Sequence, residues 1–175
     1  MGASTGYGSY DDCHGTCSGA VPASLRRPLH FPSLSPRAGC PLSPAASAAG
    51  YAGPALGTGP VYVAQGSLLD VTPFVGSAWR GAAVTWVAAP SYTGPVLIRG
   101  AQLTGPPLPL GFGEGHAPVD ELQLLTAATK SAGEPDGARE WPSFTRVQGP
   151  PGCYAYQVDG TNFSEVIVFE VTGAR

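Results

Sequence analysis

Hydrophobic positions in this chain alternate in short runs and almost never fall at helical spacing. From Val61 onward the runs are rich in β-branched and aromatic residues and are punctuated by Gly and Pro. That combination predicts strands separated by turns. Residues 61–64 read as a short strand and 68–72 as a second. Residues 83–88 form a third, with Val84, Trp86 and Ala88 on one face. Residues 95–99 follow between Gly94 and Gly100. Residues 119–126 alternate ambiguously, and 143–147 lead into two final strands. In the first of these, Tyr154, Tyr156 and Val158 point one way and Cys153, Ala155 and Gln157 the other. In the second, Phe163, Ile167, Phe169 and Val171 share a face with Glu165. Val166 and Val168 take the opposite face, so this strand is expected to be covered on both sides. Asp159-Gly160 between the two predicts a hairpin with a type I′ turn, because both residues tolerate positive φ.

The N-terminal third reads differently. Residues 1–20 are polar and rich in Gly, Ser and Tyr, which predicts a flexible tail. Residues 21–60 hold eight prolines, each lacking a backbone donor and blocking regular helix. An extended, irregular wrap over the domain is expected there, anchored by Leu25, Leu29, Phe31, Leu34 and Leu42. Residues 45–49 offer at most one helical turn between Pro44 and Gly50. Residues 61–175 form the folded domain. Roughly seven to nine short strands with Gly/Pro turns argue for an all-β, antiparallel β-sandwich, with a barrel as the alternative. The label immunoglobulin-like applies to topology only, because the cysteine spacing does not match an inter-sheet bridge flanking a core Trp.

Composition narrows the function classes. Charged residues are 12% of the 175 and the net charge is −3. No basic cluster exceeds Arg26-Arg27, so the footprint of a nucleic-acid binder is missing. No apolar run has the length of a transmembrane segment. The polar start lacks the regions of a signal peptide. Either the protein stays inside, or a leader precedes it in the cell.

The cysteines bear on that choice. Cys13, Cys17, Cys40 and Cys153 allow three pairings. Cys40 with Cys153, and Cys13 with Cys17 as a small local loop, is the preferred reading, and it places the protein in an oxidising compartment. Free buried thiols are one alternative. Metal binding through Cys13, His14 and Cys17, with Cys40 as a third thiolate, is another. A zinc site ordinarily needs four ligands in paired short spacings, and His30 and His116 are scattered. No metal or other cofactor is expected.

Catalytic motifs are missing. There is no G-x-S-x-G, S-x-x-K, H-E-x-x-H or phosphate-binding Gly-rich loop with Lys. Gly111-Phe-Gly-Glu-Gly115 is followed by Pro118 and a β pattern instead of a helix. Glu114 and His116 in that loop are the candidates for a hydrolase or enzyme accessory domain, against the plainer reading of a solvated turn. Asp120-Glu121 on a strand would face opposite ways, and Glu134, Asp136 and Glu140 read as a loose acidic loop. Asn162-Phe-Ser164 matches a glycosylation triplet beside a tight turn. Among the aromatics, Trp86, Tyr154 and Tyr156 lie within strands and are assigned to the core. Trp79, Tyr92 and Trp141 lie near turns and are the candidates for an exposed binding patch.

Several segments carry a resemblance: Arg27-Pro-Leu-His30, Ala38-Gly-Cys-Pro41, Gly59-Pro-Val-Tyr62, Gly94-Pro-Val-Leu-Ile-Arg-Gly100 and Gly152-Cys-Tyr-Ala-Tyr-Gln-Val-Asp-Gly160. Over roughly residues 25–171 the chain resembles a group of uncharacterised secreted or envelope proteins of actinobacteria and related bacteria. The resemblance implies export, an upstream leader and a Cys40–Cys153 pair, and it implies no known activity. Cys13 and Cys17 lie outside it. The expected function is a non-catalytic binding or structural domain, extracellular or at the cell envelope, engaging a protein or glycan through a rigid sheet face or loop end. A flexible N-terminal arm reaching a neighbouring copy would add self-assembly.

Overall fold

A computed structural model describes residues 21–48, 51–115, 117–125, 129–130 and 138–173. These residues form strands β1 (Ala45–Ala46), β2 (Ala55–Leu56), β3 (Val61–Ala64), β4 (Leu68–Asp70), β5 (Thr72–Pro73), β6 (Arg80–Ala88) and β7 (Val96–Gln102). They continue with β8 (Gly111–Phe112), β9 (Leu122–Leu124), β10 (Thr129–Lys130), β11 (Arg139–Val147), β12 (Gly152–Gly160) and β13 (Ser164–Thr172). One turn of 3-10 helix spans Ala23–Leu25, and no α-helix occurs among the described residues.

The strands make two sheets. One runs β1-β2-β3-β6-β11-β10, with β5 also on β6 and β8 on β11. The other runs β4-β13-β12-β7-β9, all antiparallel except β4 on β13. Both sheets are open, and their inner faces pack together as a β-sandwich. Side chains alternating along each strand fill the interface: Val84, Trp86 and Trp141 from the first sheet, and Ile98, Tyr154, Tyr156, Val158, Ile167, Phe169 and Val171 from the second. Trp86 meets Tyr156 edge-on with ring centroids 5.0 Å apart, and Tyr156 stacks on Phe169 at 4.4 Å.

The faces expected for residues 83–88 and for the last two strands are the faces observed. Several local expectations are corrected. Residues 68–72 are two strands in different sheets: Val71, whose N–H donates to Thr172 O at 3.1 Å, is where the chain crosses from one to the other. Ala45–Ala46 pairs with β2 and does not start a helical turn. Thus two strands of the first sheet fall within the segment 21–60. The final hairpin turns later than Asp159-Gly160. Asp159 pairs with Ser164, Gly160 N–H donates to Phe163 O at 3.0 Å, and Thr161 and Asn162 make the connection. Gly160 is not at positive φ. It is required because the Phe163 ring lies over it, where a Cβ would come within 2.1 Å of a ring carbon.

Asp159 leaves the turn because its carboxylate is engaged inside. The side chain is fully buried and accepts from Arg99 Nη2 at 2.9 Å, Arg27 Nη1 at 3.3 Å, Ser164 Oγ at 2.6 Å and Gln157 Nε2 at 3.0 Å. Burial alone would raise its pKa. The hydrogen bonds from Ser164, Gln157, Arg99 and Arg27 outweigh burial and hold the carboxyl below its ordinary value.

Arg27 belongs to the N-terminal segment, which lies on the outer face of the second sheet. Prolines in this segment cannot complete a β ladder, so side chains of the sheet meet its backbone instead. Gln157 Oε1 accepts from His30 N at 2.9 Å and Gln157 Nε2 donates to Pro28 O at 3.1 Å. Arg99 Nη2 donates to Arg27 O at 2.6 Å. Ser43 exchanges two bonds with Val168, both 2.9 Å. Val21 and Leu25 pack on Leu97, and Phe31 and Leu34 pack around Cys153, Ala155 and Val168. Of the five expected anchors, Leu29 and Leu42 are instead exposed, at 52% and 38%. Cys40 is bonded to Cys153, closing a sequence separation of 113. The other two cysteines lie outside the described residues.

Two outcomes follow. Asp159→Asn leaves two guanidinium groups without their anion and is expected to cost about 3 kcal/mol at pH 7. Because the folded carboxyl titrates below its unfolded value near 3.9, its contribution is present above that value. It is lost as pH falls through the lower folded one. Urea unfolding of both proteins should therefore show the gap at pH 7 closing under strongly acid conditions. Reduction of Cys40–Cys153 is expected to lower the unfolding free energy by about 4–5 kcal/mol, from the chain entropy of so long a closure. Urea titration with and without reductant measures it.

Candidate functional site

The nine-pair ladder between β6 and β11 matches Val147 with Arg80. That register brings the β5–β6 turn, 74–79, beside the β11–β12 turn, 148–151. Between them lies an open cleft of about 500 Å³, lined by Pro73, Ser77, Ala78, Trp79, Arg80, Gln148, Gly149 and Pro150.

Both walls are held from behind. In the first turn Phe74 N–H donates to Trp79 O at 3.1 Å, Ser77 N–H to Phe74 O at 3.1 Å, and Trp79 N–H to Ser77 Oγ at 3.1 Å. Phe74 is held in turn by the Arg146 guanidinium, 4.3 Å from its ring centroid, and by an edge contact with Phe144 at 5.7 Å. The Trp79 indole is half-buried and rests against Gly111, where a Cβ would lie 3.0 Å from a ring carbon and 2.6 Å from Pro118 Cβ. In the second turn Arg80 Nη2 donates to Gly149 O, and Tyr154 OH donates to Pro150 O at 2.7 Å. Burial pushes the Tyr154 phenol up to about 12, against an opposing pull from the Arg80 charge. The cleft is thus lined by an indole, a carboxamide, a proline on each side and an arginine whose guanidinium is bonded to the facing turn.

The three aromatics proposed from sequence are separated by the fold. Trp141 is 1% exposed and pairs across the ladder with Trp86, facing the core, with the Arg139 guanidinium 5.0 Å from its ring. Tyr92 is 6% exposed; its hydroxyl donates to Pro95 O at 2.7 Å and accepts from Thr161 N at 3.0 Å. Proximity to a turn in sequence did not expose either ring: Trp141 lies within β11 on the core face, and Tyr92, in the β6–β7 loop, folds back edge-on against Phe163, with ring centroids 5.2 Å apart. Trp79 alone of the three presents surface to a cleft. Its partners Arg80 and Gln148 carried no local signal, since the Val147–Arg80 register is a long-range fact.

The other candidates divide. Glu114 is exposed on its loop, and His116 lies outside the described residues. So do Cys13, His14 and Cys17, while Cys40 is consumed by its disulfide. Among the described residues, no group of three or more His, Cys, Asp or Glu side chains is close enough to hold a metal ion. No helix among them is long and apolar enough to cross a membrane.

Tyr154→Phe removes the bond to Pro150 O and is expected to cost about 1 kcal/mol. Because the folded phenol titrates above its unfolded value near 10, its contribution is present below that value and fades as pH rises towards about 12. Unfolding in urea at pH 8 and at pH 11 should show a smaller alkaline loss for the variant than for the wild type.

No protein-family model matches this chain, and neither a curated protein nor a solved structure matches it, so its functional reading rests on the cleft and the surfaces around it.

Proposed function

We propose that this chain is a non-catalytic, exported binding or structural domain, acting outside the cell or at its envelope and engaging a protein or glycan through one loop end of the sandwich. The cleft beside Trp79 carries the reading. It joins a half-buried indole to apolar proline walls and a few hydrogen-bonding side chains, the usual make-up of a recognition site. The Cys40–Cys153 disulfide supports the oxidising compartment.

In its finer form the domain is immunoglobulin-like in topology behind a Pro-rich, irregular lead-in. The sheet orders support this: β3-β6-β11-β10 follows the pattern A-B-E-D, and β13-β12-β7 follows G-F-C. The bridge does not join the two sheets, since it ties the lead-in to an outer face.

Trp79→Ala tests the reading. It should keep the far-UV spectrum, cost less than the roughly 3–5 kcal/mol of a fully buried tryptophan because the indole is only half-buried, and lose the partner captured from envelope or secreted fractions by the wild type. Trp141→Ala, in the core, should instead cost about 3–5 kcal/mol. Equal capture by wild type and Trp79→Ala would sink the proposal.

A further inference from the structure

Two strand registers bring three loops to one end of the sandwich. Val147 pairs with Arg80, which sets the turn 74–79 beside the turn 148–151. Tyr154 pairs with Gln102, which adds the loop 103–110 between β7 and β8 to the same end. Segments 72–79, 102–110 and 148–152 hold no Asp, Glu, Lys, Arg or His. Of the charges that flank them in the chain, Arg80 is buried and bonded to Gly149 O, and Asp70 lies on β4, at the edge of the second sheet. Val75 is 103% exposed and Leu108 39%. Single exposed aliphatics are ordinary. Two on charge-free loops at one end, with the half-buried Trp79 on one of those loops, make an apolar end.

The backbone decides what such an end can meet. Six residues of these segments are proline and carry no N–H. Other donors are spent within the fold: Phe74 N–H on Trp79 O, Ser77 N–H on Phe74 O, Leu108 N–H on Pro106 O at 2.8 Å, and Gln102 N–H on Leu108 O at 2.9 Å. The buried Gln102 carboxamide donates to Thr104 O. A protein partner asks for about one hydrogen bond per 100–200 Å² of interface, and this end has few to offer. A lipid boundary asks the reverse, since it penalises every backbone donor left unpaired. We infer that this loop end docks on the surface of a lipid bilayer. Val75 and Leu108 seat at the boundary of headgroups and acyl chains, and the Trp79 indole takes the interfacial level that tryptophan favours. The inference goes beyond the binding reading and does not rest on it. Neither Val75 nor Leu108 lines the cleft, so different variants test the two. With no cation on these loops and a net charge of −3, attachment is hydrophobic and independent of anionic lipid.

Co-sedimentation with phosphatidylcholine vesicles tests this, alongside phosphatidylglycerol vesicles, each at low and high salt. The wild type should bind phosphatidylcholine vesicles at both salt concentrations. Its tryptophan emission should shift to the blue, and the shift should come from Trp79, because Trp86 and Trp141 are already buried. The double variant Val75→Asp, Leu108→Asp should bind about ten-fold or more weakly. Both positions are exposed, so its urea midpoint should stay near that of the wild type. Val75→Leu should bind at least as well as the wild type. Absence of binding to phosphatidylcholine overturns the inference. Binding confined to phosphatidylglycerol and lost at high salt also overturns it, because that attachment is electrostatic. Equal binding by the wild type and the double aspartate variant overturns it too, because the lipid contact then lies elsewhere on the protein.

Discussion

Strand β12 meets no water on either face, and that constraint organises the molecule. Its inner side chains, Tyr154, Tyr156 and Val158, close on the other sheet. Its outer ones, Cys153, Ala155, Gln157 and Asp159, would face solvent in a bare sandwich. They are covered by the N-terminal segment, and the outer face is built to hold it. The apolar positions take Phe31 and Leu34. The polar positions satisfy a backbone that prolines have stripped of donors. Gln157 bonds to both an N–H and a carbonyl of the segment, doing with its carboxamide what a neighbouring strand does with its peptide groups. Asp159 is tolerable at full burial only because four donors surround it.

How much of this was legible in the sequence depended on range. The period-two alternation of β6, β12 and β13 assigns their faces without knowledge of any partner. The crossing at Val71 was invisible, because the run Leu68-Leu-Asp-Val-Thr72 holds no Gly or Pro before the crossing to mark that its two halves pair with different sheets. The Asp-Gly pair carried a sound hairpin signal and the wrong turn residues: a local preference for positive φ lost to four hydrogen bonds to the carboxylate, two of them from the distant Arg27 and Arg99. The same asymmetry governed the site. Trp79 was legible as an aromatic at a turn. Trp141 and Tyr92 satisfied that criterion equally and are buried. What singles out Trp79 is the β6–β11 register that sets it beside Gln148 and Pro150, and no local pattern encodes a register.

The cleft is firm because its supports are shared with the core. Tyr154 packs inward on Phe169, with ring centroids 6.2 Å apart, and reaches the wall through its hydroxyl. Arg80 opens β6 and pins the facing turn. A cleft supported in this way has little freedom to adapt. In the binding role proposed above, it would favour ligands that already have the right shape over partners that must be wrapped.

The Cys40–Cys153 bond has a mechanical meaning as well as a thermodynamic one. A domain anchored at its ends feels tension along the covalent path, and that path runs from Cys40 directly to Cys153. The intervening chain is left as a slack loop that a pull on the termini cannot extend. The eight-stranded sheet lies inside that loop, and so does every residue that lines the cleft. Under load only the N-terminal segment before Cys40 and the chain after Cys153 can be drawn out. Tension that peels those ends would spare the covalent connections around the cleft, a separation that suits the binding role proposed above.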